Sequence, residues 1–463
     1  MSLMERLERQ KNGVGEVPVK PQGTPAAQTA QPAAPRRPAM AAIPADNYAE
    51  LKTKVQKDVI DLLNRESGQN KDEPADEEYI RSAIESVLGL HAADMPRAER
   101  GRIISELYSD IVGLGPLDPL LAQEDITEIM VNGPDHIYVE IKGKLQETSV
   151  KFRDDEHVMS IINRIVTSVG RRIDESSPMV DARLADGSRV NAIIPPCALS
   201  GPTLTIRKFF KNKLTIDKLI SFGSLTPQMA LFLEACVKAR LNIVVSGGTG
   251  SGKTTLLGAL SGYIPSNERI VTIEDAAELQ LAQQHVITLE SKPANIEGHG
   301  AVTIRDLVRN ALRMRPDRIV VGEVRSGETL DMLQAMNTGH DGSLTTAHAN
   351  SPRDLMSRLE TMVLMSGLEI PVKAIREQIA SALDVVVQQA RMRDGTRKIV
   401  SISEVVGMEG DTITLQDIFV FRPTGFGPDG TKGAHVPTGV YPNFIHKMED
   451  NGIGVREEWF RPQ

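Results

Sequence analysis

The stretch LNIVVSGGTGSGKTT, Leu241 to Thr255, decides the fold of this chain. An apolar run, Ile243 to Val245, leads into a glycine-rich loop that starts at Gly247 and fits the pattern G-x-x-x-x-G-K-[ST]. Leucines recur at helical spacing directly after the loop. Glycines let the amides of such a loop turn toward an anion, which the N-terminus of the next helix also attracts. The stretch therefore predicts a buried strand, a phosphate-binding loop and a helix.

Lys253 and Thr254 supply the chemistry that such a loop needs. The lysine is expected to reach the β- and γ-phosphates of a nucleotide, and the threonine hydroxyl is expected to bind magnesium. The alternative interpretation, an ordinary glycine-rich turn, is disfavoured by the flanking strand and helix together. The predicted nucleotide-binding residues are Gly247, Gly248, Thr249, Gly250, Ser251, Gly252, Lys253, Thr254 and Thr255.

Composition limits the class of protein. A chain of 463 residues exceeds the size at which one core usually stops growing, so two or three domains are expected. A net charge of -8 and 4% aromatic residues argue against nucleic-acid binding. Cys197 and Cys236 form no C-x-x-C pair and are expected to be core thiols. Without a membrane-spanning apolar run or a signal peptide, the sequence predicts a cytoplasmic protein that meets a membrane only through a partner.

Periodicity and composition divide the chain into five segments. Residues 1–45, rich in Pro, Ala and Gln, are predicted to be a disordered tail, either a linker or a docking segment. Residues 46–115 show three apolar stripes at helical spacing and predict a three-helix bundle. Residues 116–210 predict an α+β domain, and residues 211–407 predict a parallel α/β domain. Residues 408–463, rich in Gly and Pro, predict a β appendage with short strands.

Acidic residues follow two of the predicted strands. Glu323 comes two residues after the apolar run Ile319 to Val321, at the sheet edge where phosphates bind. It is expected to hold magnesium or orient the attacking water; the alternative is an exposed surface carboxylate. Glu274 ends another apolar strand and is expected to help align water or metal, again with a surface carboxylate as the alternative. Asp275 is expected to cap the next helix.

Two histidines lie in the polar stretch TGHDGSLTTAHANS, Thr338 to Ser351. His340 and His348 have no third metal ligand nearby in sequence, so a metal site is disfavoured. In a nucleotide-binding protein, a loop of small hydroxylated residues suits contact with the γ-phosphate, and both histidines are candidates for that role. The alternative is a hydrogen-bonded structural histidine.

Three arginines of the second domain lie next to predicted turns or strand ends, namely Arg183, Arg189 and Arg207. A guanidinium delivered to the transition state accelerates phosphoryl transfer by about 10³- to 10⁵-fold, often from a neighbouring subunit. These arginines are candidates for that role, with solvated surface charges as the alternative.

Four segments in this order resemble the secretion ATPase superfamily that powers type II and type IV secretion and type IV pili. They are GGTGSGKTT, RIVTIEDAAEL, MRPDRIVVGEVR and TGHDGSLTTAHANS. Upstream, RRIDESSPMVDARLADGSRVNAIIPP and LTIRKF resemble the branch related to type IV secretion traffic ATPases. GLGPLDPLL and the ending GVYPNF further resemble the motor ATPase of tight-adherence (Flp/Tad, type IVc) pili, the CpaF/TadA type.

The resemblance implies a RecA-like P-loop ATPase domain preceded by an α+β domain, assembled as a homohexamer that docks on inner-membrane platform proteins. It implies ATP and Mg²⁺ as ligands, with Lys253 and Thr254 on the phosphates and the metal. By motif position, Glu323 activates water, Glu274 assists and His348 monitors the γ-phosphate. The expected function is an ATP-hydrolysing motor for pilus assembly. A nucleic-acid translocase and a nucleotide-gated scaffold with little turnover remain alternatives, and the sequence leaves open whether the motor also drives retraction.

Overall fold

The computed structural model describes residues 48–67, 76–141, 143–209, 214–294, 298–427 and 430–461. The predicted tail, 1–45, lies outside the described residues. The chain divides into the units Met1–Thr53 and Lys54–Gln463. The described part of the first unit is the beginning of helix α1 (Ala49–Ser67), and the domains below belong to the second.

Two further helices, α2 (Glu77–His91) and α3 (Arg97–Ile111), lie where the apolar stripes predict them. The buried face of α2 carries apolar residues at helical spacing, from Ile80 to Leu88. Arg81 of α2 stacks on the ring of Tyr108 in α3, with 4.3 Å between the guanidinium carbon and the ring centroid. The two helices therefore pack against each other through this stripe and this cation–π contact.

An antiparallel sheet of six strands forms the α+β domain, in the order β3-β2-β1-β6-β5-β4. The strands are β1 (Ile126–Asn132), β2 (His136–Ile141), β3 (Lys144–Glu147), β4 (Met179–Arg183), β5 (Arg189–Ile193) and β6 (Thr203–Arg207). The helices are α4 (Asp118–Leu121) and α5 (Asp155–Ser168). Alternate strand residues such as Ile129 and Val131 share a core with the apolar face of α5.

A sheet of nine strands forms the second domain, in the order β15-β14-β13-β12-β7-β11-β10-β8-β9. The strands from β12 to β9 in that order are mutually parallel. They are β7 (Ile243–Gly247), β8 (Ile270–Glu274), β9 (Val286–Glu290), β10 (Arg318–Val324), β11 (Leu344–Ala347) and β12 (Val385–Arg391). The antiparallel extension consists of β13 (Arg397–Glu409), β14 (Thr412–Gly427) and β15 (Gly430–Pro437).

Helices cover both faces of this sheet, as the buried central strands such as β7 and β8 require. They are α6 (Ile216–Ser221), α7 (Pro227–Lys238), α8 (Lys253–Ser261), α9 (Ile304–Ala311), α10 (Glu328–Asn337), α11 (Pro352–Leu364), α12 (Val372–Ala382) and α13 (Ile445–Asp450). Along β7, Ile243 and Val245 belong to one hydrophobic core and Val244 belongs to the other. The strand order places β11 between the P-loop strand β7 and β10, which carries Glu323. This is the RecA-like arrangement, and the predicted fold class is confirmed.

The C-terminal strands are part of this sheet, so the boundary predicted between residues 407 and 408 is wrong: it falls inside β13. Phe232 of α7 packs against Phe419, Phe444 and Phe460, with ring centroids 5.4 to 6.3 Å apart. The prediction relied on Gly and Pro content, which an antiparallel extension at the edge of a sheet tolerates. It also predicted short strands there, whereas β14 has 16 residues.

The two cysteines differ in environment. Cys236 of α7 is buried, as predicted, whereas Cys197 is exposed. Cys197 follows Pro195 and Pro196 in a turn after β5, outside the alternation that buries strand residues. The expectation that both are core thiols is therefore wrong for Cys197.

Arg318, the first residue of β10, is the largest fully buried side chain among the described residues. Its Nε donates to Glu268 Oε2 at 2.5 Å, and its Nη1 and Nη2 donate to the carbonyls of Gly342 and Val237 at 3.1 and 2.9 Å. Glu268 is also buried and pairs with Arg240. The Arg318 side chain therefore connects β10 to the end of α7 and to the loop before β11.

We predict that Arg318→Met lowers stability by about 3 kcal/mol, because it leaves the buried Glu268 carboxylate short of a partner. Urea unfolding followed by circular dichroism measures the shift in midpoint. Arg461→Met is the matched control, since Arg461 forms an exposed pair with Glu457 and should cost less than about 1 kcal/mol. Equal midpoints for the two variants would contradict a structural role for Arg318.

Candidate nucleotide-binding site

The predicted P-loop joins the end of β7 to the start of α8. Gly250 and Gly252 have φ values of +69° and +96°, in the left-handed region that favours glycine. A Cβ at Gly247 would collide with the carbonyl oxygen of Gln389 on β12. The glycines are therefore required by the turn and by the close approach of the neighbouring strand. The other predicted nucleotide-binding residues lie in the loop or in the first turn of α8, namely Gly248, Thr249, Ser251, Lys253, Thr254 and Thr255.

Lys253 and His348 meet at the loop. The Lys253 Nζ lies 3.3 Å from the carbonyl oxygen of Gly248 and 3.3 Å from His348 Nδ1. His348 Nε2 lies 3.1 Å from Thr249 Oγ1. Burial lowers the pKa of Lys253, although the nearby charge of Glu323 acts to raise it. His348 reaches this position because β11, which it follows, is the parallel neighbour of β7.

Glu323 lies within β10 rather than two residues beyond the strand, because pairing of β10 continues to Val324. Its Oε1 is 3.5 Å from His348 Nδ1. Its Oε2 accepts hydrogen bonds from Arg325 Nε at 2.9 Å and Nη2 at 2.6 Å. The site thus joins Lys253, His348 and Glu323, as the sequence predicts, but the carboxylate is engaged by a guanidinium.

Arg325 is the site residue that sequence reasoning missed. Its Nη1 also lies 3.8 Å from Asp275 Oδ2. Burial acts to lower the pKa of Arg325, but the hydrogen bond and charge of Glu323 outweigh burial and raise it. The sequence places Arg325 only two residues after Glu323, directly after β10, close enough for its long side chain to reach the carboxylate.

Glu274, the last residue of β8, is buried, with 3% of its surface exposed. Its carboxylate accepts the backbone amides of Glu278 at 2.9 Å and Leu279 at 3.1 Å. Burial raises its pKa to about 7, against the lowering effect of those two amides. A Cβ at Gly322 would lie 2.8 Å from Glu274 Cγ, which explains why β10 carries glycine there. The surface-carboxylate alternative is excluded, and a group titrating near neutral pH suits proton transfer.

Asp275 does not cap a helix, contrary to the prediction. Residues 275–285, all of them described, contain no helix and form an irregular connection with bends that leads directly into β9. Asp275 Oδ1 accepts a hydrogen bond from Ser291 Oγ at 2.7 Å instead. The prediction assumed regular alternation of strands and helices, and this connection departs from it.

The structure does not bring His340 to the P-loop. His340 precedes β11, whereas His348 follows it, and β11 runs parallel to β7 with Leu344 opposite Ile243. The two histidines therefore lie at opposite ends of the parallel strands. The His340 carbonyl accepts a hydrogen bond from Ser343 Oγ at 2.8 Å. The hypothesis that His340 contacts the γ-phosphate is wrong for the site within this chain, because the whole of β11 lies between His340 and His348.

Arg183, Arg189 and Arg207 form a row across β4, β5 and β6, each opposite the next in the strand pairing. Arg183 Nη1 pairs with Glu290 Oε2 at 2.9 Å, and Arg189 Nη1 pairs with Glu278 Oε1 at 3.3 Å. Arg207 is exposed at the far end of the row.

These ion pairs bind the α+β domain to the β8–β9 end of the ATPase sheet, three to four strand positions from β7, or about 14 to 19 Å. A cavity of about 680 Å³ lies there, lined by Arg183, Arg189, Asp275 and Glu290 among others. The buried Nη2 of Arg183 has no hydrogen-bond partner. In this conformation the arginines face the ATPase domain without touching the P-loop.

A hydroxyl and a carboxylate, from Thr254 and Glu323, are the protein groups available to a metal at the loop. Among the described residues no group of three or more His, Cys, Asp or Glu side chains could hold an ion. Magnesium keeps several waters and takes one or two protein oxygens together with phosphates. The residues present therefore fit Mg²⁺ held mainly by a nucleotide, and they do not fit a metal bound by protein alone.

The strand order and the site define the class of this protein, a RecA-like P-loop ATPase. The model of the family "Type II/IV secretion system protein" matches residues 110–425, and the chain belongs to this family. In the described part of the chain, no helix has both the length and the apolar character needed to cross a membrane.

Relatives and solved structures that are similar to this chain include the following. The chain is 40% identical to a putative conjugal transfer protein of Mycobacterium tuberculosis over 66% of this chain and 88% of that protein. It is 35% identical to the type IV secretion system protein VirB11 of Brucella abortus, over 62% and 87%. The crystal structure of Brucella suis VirB11 with sulphate matches with 33% identity, 62% and 95% coverage and a TM-score of 0.35. The pilus retraction motor PilT with ADP matches with 19% identity, 72% and 85% coverage and a TM-score of 0.47.

We predict that Glu274 makes stability pH-dependent. Its folded-state pKa of about 7 lies above the ordinary glutamate value of 4.5, so the folded state binds an extra proton between these values. Stability should therefore fall as pH rises from about 4.5 to 7, by at most about 3 kcal/mol from this group. Urea unfolding of Glu274→Gln between pH 5 and 8 should show a shallower decline than the parent, with Glu234→Gln, at a partly exposed ion pair with Lys238 on α7, as the control. Parallel pH profiles for all three proteins would contradict this.

Proposed function

We propose that this chain is the motor of a type IV (Flp/Tad) pilus, a homohexamer that hydrolyses ATP and passes the resulting movement to inner-membrane platform proteins. The observation that carries the enzymatic part is the convergence of Lys253, His348 and Glu323 at the P-loop, where His348 Nδ1 lies 3.3 Å from Lys253 Nζ and 3.5 Å from Glu323 Oε1. The Flp/Tad assignment rests on the resemblance of GLGPLDPLL and GVYPNF, and the hexamer and the peripheral membrane position rest on the resemblance to secretion ATPases.

The roles of the residues follow from their contacts. Lys253 exchanges the Gly248 carbonyl for the β- and γ-phosphates, and His348, already beside Lys253 and Thr249, contacts the γ-phosphate. Mg²⁺, when bound through Thr254 and Glu323, neutralises charge on the β- and γ-phosphates. Glu323 orients the attacking water once Arg325 releases Oε2, and Glu274 accepts or returns a proton at the neighbouring strand end.

We predict that Lys253→Ala abolishes nucleotide binding or hydrolysis, whereas Glu323→Gln retains ATP and loses turnover by at least about 100-fold. The amide keeps the size of the side chain but cannot polarise water as a carboxylate does. Phosphate release and nucleotide titration of the purified protein measure both effects, and Lys238→Ala and Glu234→Gln, which alter a partly exposed ion pair on α7, are the controls.

Near-parental hydrolysis by Lys253→Ala would overturn the nucleotide site. Normal turnover in Glu323→Gln would move the catalytic carboxylate to Glu274. A parent protein that binds ATP with negligible turnover would favour the scaffold alternative, and stimulation by single-stranded DNA would favour the translocase. Loss of surface pilin in cells that carry Glu323→Gln, but not Glu234→Gln, tests the pilus assignment.

We predict that Arg183→Ala and Arg189→Ala lower turnover of the assembled ring by about a thousandfold while nucleotide affinity changes little. The physical reason is that these guanidiniums reach the γ-phosphate only after they leave Glu290 and Glu278, when the domains close. Arg172→Ala is the control, since Arg172 pairs with Asp174 inside its own domain.

Mixed rings decide whether the arginines act on a neighbouring subunit. Inactive Lys253→Ala subunits combined with inactive Arg189→Ala subunits should recover some ATPase activity if the arginine acts in trans. No recovery in rings that demonstrably contain both variants would leave the arginines acting within their own chain or as surface charges. Arg207, exposed and farther along the row, is expected to have the weakest effect of the three.

A further inference from the structure

Two arginines that no part of the site above uses lie against the P-loop. Arg391 ends β12 and Arg397 begins β13, and the two are directly opposite each other in the strand pairing. Arg397 Nε donates to the Gly250 carbonyl at 3.0 Å. A Cβ built on Gly250 would lie 3.4 Å from Arg391 Nη1, and one built on Gly252 would lie 3.2 Å from Arg397 Cδ. Both guanidiniums are therefore within van der Waals range of the loop.

No ion pair neutralises this arginine pair within the described residues, and Glu140 is the one carboxylate whose charge acts on Arg397. Among the described residues no carboxylate forms an ion pair with either guanidinium; the recorded partners are backbone carbonyls. Burial lowers the pKa of Arg397 and the charge of Arg391 lowers it further, outweighing the charge of Glu140, which acts to raise it. Like charges directly opposite in an antiparallel pair are destabilising. The pair is thus an electrostatic cost that a bound anion would remove.

Orphaned polar atoms mark the same place. Gln389 Oε1 and Ser251 Oγ are buried without hydrogen-bond partners, and a Cβ on Gly252 would lie 3.4 Å from Gln389 Nε2. Buried polar atoms normally have partners, so these atoms indicate a ligand at this side of the loop.

The strand order says which part of the ligand lies here. β12 borders β7 on one side, whereas β11 and β10, which position His348 and Glu323, lie on the other. The γ-phosphate belongs beside Glu323, so the arginine pair faces the opposite end of the phosphate chain. That end carries the α-phosphate and the nucleoside.

We propose that Arg391 and Arg397 bind the α-phosphate of the nucleotide and that Arg391 links this contact to the α+β domain. This inference rests on the nucleotide site proposed above. Arg391 Nη2 donates to the Gly143 carbonyl, in the turn between β2 and β3, at 2.9 Å. A guanidinium has five donors, so Arg391 holds the phosphate and the turn together. Nucleotide binding then stabilises this turn through Arg391, independently of the ion pairs that Arg183 and Arg189 form.

Binding measurements test the first half. Isothermal titration of ADP and of a non-hydrolysable ATP analogue should give affinities at least about 10-fold weaker for Arg391→Ala and Arg397→Ala than for the parent. The loss should be equal for the two ligands, because both contain the α-phosphate, and turnover at saturating ATP should change less than about threefold. Arg422→Ala, which removes an exposed arginine from β14, is the control. Arg397→Lys keeps the charge without the planar fork and should lie between parent and alanine.

Hydrogen exchange of the turn around Gly143 tests the second half. Saturating ADP should protect this turn in the parent and in Arg397→Ala, but not in Arg391→Ala.

The outcomes separate this inference from the proposed function. A parent that binds neither ligand overturns the nucleotide site itself. A parent that binds, with parental affinity in both alanine variants and in Arg397→Lys, overturns this inference alone. Loss of affinity for the ATP analogue but not for ADP would place the pair on the γ-phosphate and overturn the α-phosphate assignment. Equal protection of the turn in parent and Arg391→Ala overturns the link to the α+β domain.

Discussion

The parallel alignment of β7, β11, β10 and β8 is the constraint on which the site depends. Because these four strands run in one direction, the residues that end them meet at a single edge of the sheet. The P-loop, His348, Glu323 and Glu274 lie far apart in sequence and become neighbours through this geometry alone. The same rule removes His340, which belongs to the start of β11 rather than its end. Arg318 and Glu268, buried where β10 begins, hold the opposite edge together.

The charges at this edge neutralise one another in the structure. Lys253 contacts His348, His348 contacts Glu323, and Glu323 is held by Arg325, which also approaches Asp275. Three of these groups, Lys253, His348 and Glu323, are the ones proposed above to act on the nucleotide. A bound triphosphate therefore has to exchange partners along the chain rather than fill an empty space. That exchange gives a physical reason why hydrolysis and conformational change would be coupled here.

Sequence reasoning was most reliable where a local pattern contains the whole mechanism. The P-loop needs only fifteen consecutive residues, and the strand before Glu323 is apparent from its apolar run. Sequence-based prediction failed where the position of a residue or strand depends on contacts with residues far away in the chain. Burial of Glu274 depends on Gly322, and the placement of the last strands depends on Phe232 of α7. The contact of Arg391 with Gly143 spans 248 residues, and no local periodicity encodes it. The motifs were sufficient to predict the family. They were not sufficient to predict that the last strands extend the sheet.

Two sets of arginines connect the ATPase domain with the domain that precedes it, and they do so at different places. Arg183 and Arg189 reach from the α+β domain to carboxylates near β8 and β9, whereas Arg391 reaches from the ATPase domain to a carbonyl near β2. The first contacts are ion pairs, which compete directly with a phosphate for the guanidinium. The second is a hydrogen bond to backbone, which leaves most of the donors of Arg391 available. A rotation of one domain on the other would thus break the ion pairs of Arg183 and Arg189, while the contact of Arg391 acts as a pivot beside the P-loop. The γ-phosphate would then be contacted by arginines that move, and the α-phosphate by arginines that stay.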